Sequence, residues 1–259
     1  MEEITSRNNT TIKAAALLKE AKQRRSTGLF LLEGARLCKD AALNGIVIKQ
    51  FFVTERAMKK YSAEASLLEE RAEKSFLIVE SVAEKLTDTK NSQEFFAVCE
   101  EAEIPRDINF SGMYVFTDNV QNPDNLGAIV RTAEAMGADG LIINSGCDIY
   151  SPKALRASMG ALLRFPVIRT EDARELLSEC KKQGMKIFSS VVDSAAQSVV
   201  TADKNGGCVL IIGNEGNGIS EEVLSLSTHR ITIPMKGKAE SLNAASAATV
   251  LIWEFMKDR

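Results

Sequence analysis

The sequence predicts an α/β protein built from two successive blocks. Two observations predict it: strand-like apolar runs alternate with helix-period runs along the whole chain, and the alternation breaks once. The break is the stretch "EAEIPRDINFSG", where Pro105 and Gly112 interrupt the pattern, so the expected domains are 1–105 and 112–259. At 259 residues and 45% apolar composition the chain has ample material for a core in each block.

In the first block a helix around 11–24 leads into the strand "LFLLE", the helix "ARLCKDAAL" and the strand "IKQFFV". A long helix near 56–73, the strand "SFLIV", a short helix and the strand "EFFAVCE" complete it. The second block runs from the strand "MYVFTD" through a helix from Leu126 to Met136, the strand "GLIIN", and helices near 152–160 and 171–183. It continues with the strands "KIFSSVV" and "CVLIIG", a helix over 219–226, the strand "RITIP" and a final helix from Ser241 to Met256. This second alternation reads as a parallel sheet, whose ligands bind at the carboxyl ends of the strands.

Composition excludes several classes. No apolar run approaches the roughly 20 residues of a membrane span, and the polar "MEEITSRNNT" does not read as a signal peptide, so the cytoplasm is the expected compartment. Cys38, Cys99, Cys147, Cys180 and Cys208 are an odd set without C-x-x-C spacing, expected as buried thiols rather than disulfides or a zinc site. A single histidine, His229, stands before "RITIP", which leaves histidine triads and multi-histidine metal sites without material; no metal is expected. Net charge is −3, yet residues 1–60 carry 12 Lys and Arg against 6 Asp and Glu, while residues 61–105 carry 4 against 11. The basic end, with Lys13, Lys22, Arg24, Arg25 and Arg36, fits either a solvated helix face or contacts to nucleic-acid phosphate.

Three loops that follow strands of the second block stand out. "NVQNPDNLGAIVRTAEAMGA" clusters Asn and Gln ahead of a helix; Asn125 can cap it, Gly127 allows close approach, and Arg131 reaches outward a turn later. "VLIIGNEGNGIS" has Gly213, Gly216 and Gly218 around Glu215, with neither a Walker lysine nor a G-x-G-x-x-G fingerprint, so it suits a neutral or cationic ligand better than a polyphosphate. "IPMKGKAESLNAASAATVLIWEF" brings Ser241, Leu242 and Asn243 to the start of an alanine-rich helix thin enough to pack closely on a neighbour. Each also has a plain reading as a capped helix or tight turn.

Together the segments resemble the SpoU (TrmH-like) family of RNA ribose 2′-O-methyltransferases. "NPDNLGAIVRTAEAMG" resembles its first motif, "IIGNEGNGIS" its second and "IPMKGKAESLNAASAAT" its third, in the family's order. "YSPKALRASMGALLRFPV" is similar to the link between the first two, and "FLLEGARLCKDAAL" with "LTDTKNSQEFFAVCE" resembles the family's N-terminal substrate-binding domain. The resemblance implies an S-adenosylmethionine-dependent enzyme: an N-terminal α/β RNA-binding domain plus a C-terminal parallel-sheet SPOUT domain with a trefoil knot, active as a homodimer through that domain. It assigns the cofactor to backbone at Gly213, Ile233, Met235 and Leu242, and the polar site to Asn125, Arg131, Glu215, Ser241 and Asn243.

The implied chemistry is in-line attack of a ribose 2′-oxygen on a methyl carbon, which requires alignment and removal of a hydroxyl proton. The family's base role falls on Arg131, although a guanidinium keeps its proton to above pH 12. Arg131 is therefore either a transient base helped by a substrate phosphate or a cation that holds that phosphate and stabilises the alkoxide. Glu215 is read as orienting neighbouring chain. A separate N-terminal domain favours ribosomal over transfer RNA. Two other classes are weighed: a catalytically silent RNA-binding module, which would have no need of all three motifs with Arg131 intact, and a different nucleotide-dependent enzyme, for which the phosphate fingerprint is missing.

Overall fold

The computed structural model describes residues 1–102 and 107–259; Pro105 lies outside the described residues. One compact unit takes in the described residues of Met1–Glu103 together with Asp148–Arg164, and a second takes in those of Ile104–Cys147 and Phe165–Arg259.

The first unit contains β1 (Glu2–Ile4), α1 (Thr10–Leu17), α2 (Ala21–Thr27), β2 (Leu29–Glu33), α3 (Ala35–Leu43), β3 (Ile48–Val53), α4 (Glu55–Lys60), α5 (Ser62–Arg71), β4 (Ala72–Ile78), α6 (Glu80–Leu86) and β5 (Phe95–Glu100). Its sheet has the order β1-β4-β3-β5-β2, and β5 runs antiparallel to both neighbours while the other pairs are parallel. The pairs Phe51-Phe52 and Phe95-Phe96 are fully buried. Because successive strand residues point to opposite faces, each pair sends one ring to either side of the sheet, which must then be covered on both. Phe52 and Phe96 join Ile12 of α1 and Leu86 of α6 in one cluster, and Phe51 meets Phe95 at 4.8 Å between ring centroids.

Two expected helices are each divided. The helix around 11–24 stops at Leu17 because Arg24 Nη1 donates to the carbonyls of Leu18 and Lys19 at 2.7 and 2.8 Å, taking acceptors that a continuing helix would offer its own amides. The helix near 56–73 breaks at Tyr61, whose backbone leaves the helical region and whose ring packs edge-on to Phe95; its last residues become strand β4. Arg24 is thus 3% exposed and is not free to meet RNA, whereas Lys13, Lys22, Arg25 and Arg36 are exposed.

In the second unit come β6 (Met113–Asp118), α7 (Pro123–Met136) and β7 (Gly140–Asn144). The chain then makes α8 (Pro152–Ala157) and a 3-10 turn, Ala161–Leu163, before β8 (Val167–Thr170), α9 (Ala173–Lys182), β9 (Lys186–Ser190), β10 (Gln197–Ser198), β11 (Cys208–Ile212), α10 (Glu221–Ser225), β12 (His229–Thr232) and α11 (Ala244–Met256). The sheet order is β10-β12-β9-β11-β6-β7-β8, and every pair is parallel. Strands β1, β8 and β10 have no counterpart in the sequence pattern, being short and partly polar edge pieces. The core gathers Phe116, Ile142, Ile187, Val209 and Ile211 from the sheet with Leu177 of α9.

The segment 148–164 packs with the first unit rather than with the block that surrounds it in sequence. Asp148 pairs with the buried Arg24 at 2.8 Å, and Tyr150 stacks on Phe30 at 4.5 Å. All five cysteines are free and four are buried, Cys147 being half-buried, so they are the thiols expected.

Candidate active site

Parallel strands place all their carboxyl ends on one edge of the sheet, so the loops after β6, β9, β11 and β12 meet there although they are spread over more than a hundred residues. The chain steps outward from β6 to β7 to β8 and then crosses back to β9, leaving β6 and β11 at the reversal, where open α/β sheets bind ligands. His229 begins β12 at the opposite end, stacked on Phe188 at 4.7 Å.

Asn122, rather than Asn125, caps α7: its side chain accepts from the Asp124 amide, and Pro123 occupies the first turn. This leaves Asn125 as the third residue of the helix, 6% exposed, with its side chain free for longer contacts. Its Nδ2 donates to Glu215 Oε1 at 2.8 Å, and its Oδ1 accepts from Asn243 Nδ2 at 3.0 Å. Asn243 in turn caps α11, its Oδ1 accepting from the amides of Ala245 and Ser246 at 2.9 and 3.2 Å. One chain of hydrogen bonds therefore joins all three loops.

Glu215 also accepts from the amides of Gln121 and Asn122 at 3.2 and 3.1 Å. These lie at the amino end of α7, where the helix dipole and unpaired amides favour a negative charge. Burial pushes the carboxyl upward, but the hydrogen bonds from Asn125 and the backbone outweigh it and hold Glu215 below the usual carboxylate range. An acid stands in this glycine-rich loop because it serves a helix terminus; a lysine would repel it.

The glycines serve the loop itself. A Cβ on Gly213 would lie 2.3 Å from the carbonyl carbon of Gly218 and 2.5 Å from the Ile219 amide, so only glycine fits where two limbs of backbone touch. Asn214 and Gly218 exchange backbone hydrogen bonds at 2.9 and 3.0 Å, and Gly218 takes a φ of 70°. Asn214 Nδ2 donates to the Asn119 carbonyl at 2.8 Å and the Ser220 amide to Asp118 at 2.7 Å, which tie the loop to the end of β6.

Beside this network, a groove is walled by Ser190, Val191 and Val192 at the end of β9, by residues 231–233 and Met235 around the end of β12, by Ser241 and Leu242, and by Ala247 and Leu251 of α11. Ile233, Met235, Leu242 and Ser241 come together there; Gly213 does not line it. No lining residue is charged, and Met235 and Leu242 remain 39% and 41% exposed at its mouth. Apolar walls without a phosphate-binding cation suit the flat adenine and cationic sulfonium of S-adenosylmethionine. Arg131 is exposed on α7, with no hydrogen bond or ion pair among the described residues. The lining by Ser190–Val192 escapes sequence reading: "KIFSSVV" reads as ordinary strand, and only its placement beside β12 brings its end to the groove.

A model of the SpoU rRNA Methylase family matches residues 112–253, and one of the MRM3-like substrate binding domain matches residues 9–97. The chain is 28% identical over 256 residues to the 23S rRNA (guanosine(2553)-2′-O)-methyltransferase RlmP of Bacillus subtilis, with 98% of each covered. It is 31% identical to the 23S rRNA (uridine(2479)-2′-O)-methyltransferase of Streptomyces viridochromogenes, over 99% of this chain and 92% of that one. An AdoMet-bound rRNA methyltransferase from Sinorhizobium meliloti superposes with a TM-score of 0.88 at 29% identity, covering 99% of this chain and 98% of that one. With the three loops gathered at one sheet edge and both family models matched in order, the chain belongs to the SpoU rRNA methylase family and is an S-adenosylmethionine-dependent RNA 2′-O-methyltransferase.

Proposed function

We propose that the enzyme methylates a ribose 2′-hydroxyl of ribosomal RNA in the cytoplasm, using residues 1–105 with the 148–164 segment packed on them to hold RNA and the rest of residues 112–259 for transfer. The relatives named for 23S rRNA span nearly the whole of this chain, the N-terminal part included, and this carries the ribosomal reading. In the proposed assignment backbone at Ile233, Met235 and Leu242 holds the cofactor, and Gly213 keeps the adjoining loop tight enough to close that end of the site. Bound S-adenosylmethionine supplies an activated methyl group on a sulfonium.

Arg131 meets the substrate. A guanidinium holds its proton at neutral pH, so its role here is to grip a phosphate beside the target ribose and to stabilise negative charge as the 2′-oxygen loses its proton. Asn125 and Asn243 hold the groove's edge in register, Ser241 adds a hydrogen bond at its mouth, and Glu215 fixes Asn125. We further propose a homodimer through α7 and α11. Val250 and Trp253 are 43% and 54% exposed one turn apart on α11, large apolar side chains that a partner copy would cover. We propose a trefoil knot in the same unit as well, on the likeness of the fold to the AdoMet-bound rRNA methyltransferase.

The experiment is mapping of 2′-O-methyl positions in cellular RNA with and without the gene. Loss of one site in ribosomal RNA is expected. A methylation lost from transfer RNA alone would overturn the ribosomal assignment.

A further inference from the structure

In the first unit a cavity of about 350 Å³ lies at the amino end of α3. Its walls come from three stretches far apart in sequence: the β2–α3 junction, the loop before β5, and the end of α8. Several polar groups there are already engaged in shaping it. Glu33 accepts from the Asp88 amide at 2.8 Å and the Thr89 hydroxyl at 2.6 Å, Gln93 Oε1 accepts from the Ala35 amide at 2.8 Å, and Arg156 Nη2 pairs with Asp88 at 2.8 Å.

What remains over is a set of donors. Arg156 Nη1 is buried without a hydrogen-bond partner among the described residues, an arrangement that native proteins rarely leave unanswered, while the side chain as a whole stays 32% exposed. Arg36 is exposed, with no ion pair among the described residues. Gly34, the residue before α3, has no side chain with which to cap the helix. The backbone is held unusually at two wall positions: Gly34 at a φ of 108° and Met159 at a φ of 50°, the latter a left-handed conformation that costs a methionine energy and that recurs at ligand clamps. Met159 is 39% exposed and, with Leu37, provides an apolar surface beside the donors.

We propose that this cavity receives one unpaired nucleotide of the RNA substrate, with its base laid against Leu37 and Met159 and its phosphate held by Arg36 and Arg156. Sequence-selective RNA recognition works on bases splayed out of a helix, through apolar or stacking contact on the face and hydrogen bonds on the edge. Asn91 and Gln93 Nε2, which makes no hydrogen bond among the described residues, stand at the wall to supply the edge contacts. The inference rests on the chain's RNA substrate, and it goes beyond the catalytic site by giving the first unit a defined recognition point.

The test uses the full-length protein and fluorescein-labelled RNA hairpins, one fully paired and four carrying a single unpaired A, C, G or U, read by anisotropy without cofactor. At least one bulged hairpin is expected to bind about tenfold more tightly than the paired one, the effect of burying one base face against apolar side chains. Asn91→Trp, which fills the cavity from an exposed loop position, and Arg36→Ala should each reduce that hairpin to the affinity of the paired one. Arg36→Ala should also lower the slope of log affinity against log salt by about one. Calorimetric affinity for S-adenosylmethionine should be unchanged in both variants. A wild type with no preference among the five hairpins, or a preference that survives both substitutions, overturns the proposal. So does a free nucleoside monophosphate that shifts the Met159 methyl resonance yet fails to compete with the bulged hairpin, since the cavity would then serve a small anion. Failure of cofactor binding in the wild type would count against the methyl-transfer site and leave the anisotropy result standing.

Discussion

Asn243 donates its side-chain amide to Asn125 at 3.0 Å across 118 positions of sequence, and the direction of that bond is dictated from both ends. Glu215 is an acceptor, so Asn125 turns its nitrogen toward it and its oxygen toward Asn243; Asn243 must keep its own oxygen for the amides that begin α11.

Asn125→Asp tests this order. The replacement has the same shape but sets a carboxylate against Glu215, so it is expected to destabilise the protein more than Asn125→Ala, by about 1–3 kcal/mol relative to wild type. Thermal melts should show the ranking wild type, Ala, Asp, and calorimetry should show weaker S-adenosylmethionine binding in both variants. An Asp variant as stable as wild type would contradict the assigned hydrogen-bond direction.

Glu215 ties stability to acid pH. Its folded carboxyl titrates below the ordinary glutamate value of about 4.5, so its contribution is fully present above that value and is lost as pH falls through the folded one. The gap in melting temperature between wild type and Glu215→Gln should therefore be a few degrees at pH 7 and should shrink steadily below pH 4.5. A gap that widens on acidification would reverse the sign of the argument.

Arg131 separates transfer from folding. Being exposed and unpaired among the described residues, it should be replaceable by Ala within about 0.5 kcal/mol of stability, with cofactor affinity kept and methyl transfer abolished. Arg131→Lys keeps a charge but not the planar fork. If charge placement matters most, its rate stays poor at high pH, whereas a steep climb with pH would return Arg131 to a proton-accepting role. Methyl transfer to the mapped RNA, measured over pH 7–10, gives the answer.

Arg24 behaves as a structural residue despite its place in the basic stretch. It is 3% exposed, pairs with Asp148 at 2.8 Å and donates to the carbonyls of Leu18 and Lys19, so Arg24→Ala leaves a half-buried carboxylate without its cation and two carbonyls without their donor and should cost about 3 kcal/mol. Lys13→Ala and Arg25→Ala, on exposed side chains, should leave the melt nearly unchanged and weaken RNA binding in a salt-dependent way. Equal effects on the melt from all three would show that burial does not distinguish them.

The sequence by itself determined the α/β class, most of the strands, the three loops and the family to which they belong. These are legible because strand and helix periods, turn glycines and capping residues act over a few neighbours. It could not separate Asn122 from Asn125, since both are asparagines near a helix start and only the position of Glu215, ninety residues on, decides which one is left free. Nor could it tell Arg24 from Arg25: one turns inward to Asp148 and the other outward to water, and the difference lies in a segment more than a hundred positions away. Strand order is the common reason. Which strand ends share an edge, and so which of Val191, Ile233, Leu242 and Leu251 line one groove, depends on pairings among distant segments, a property of the packed sheet that local chemistry along the chain does not carry.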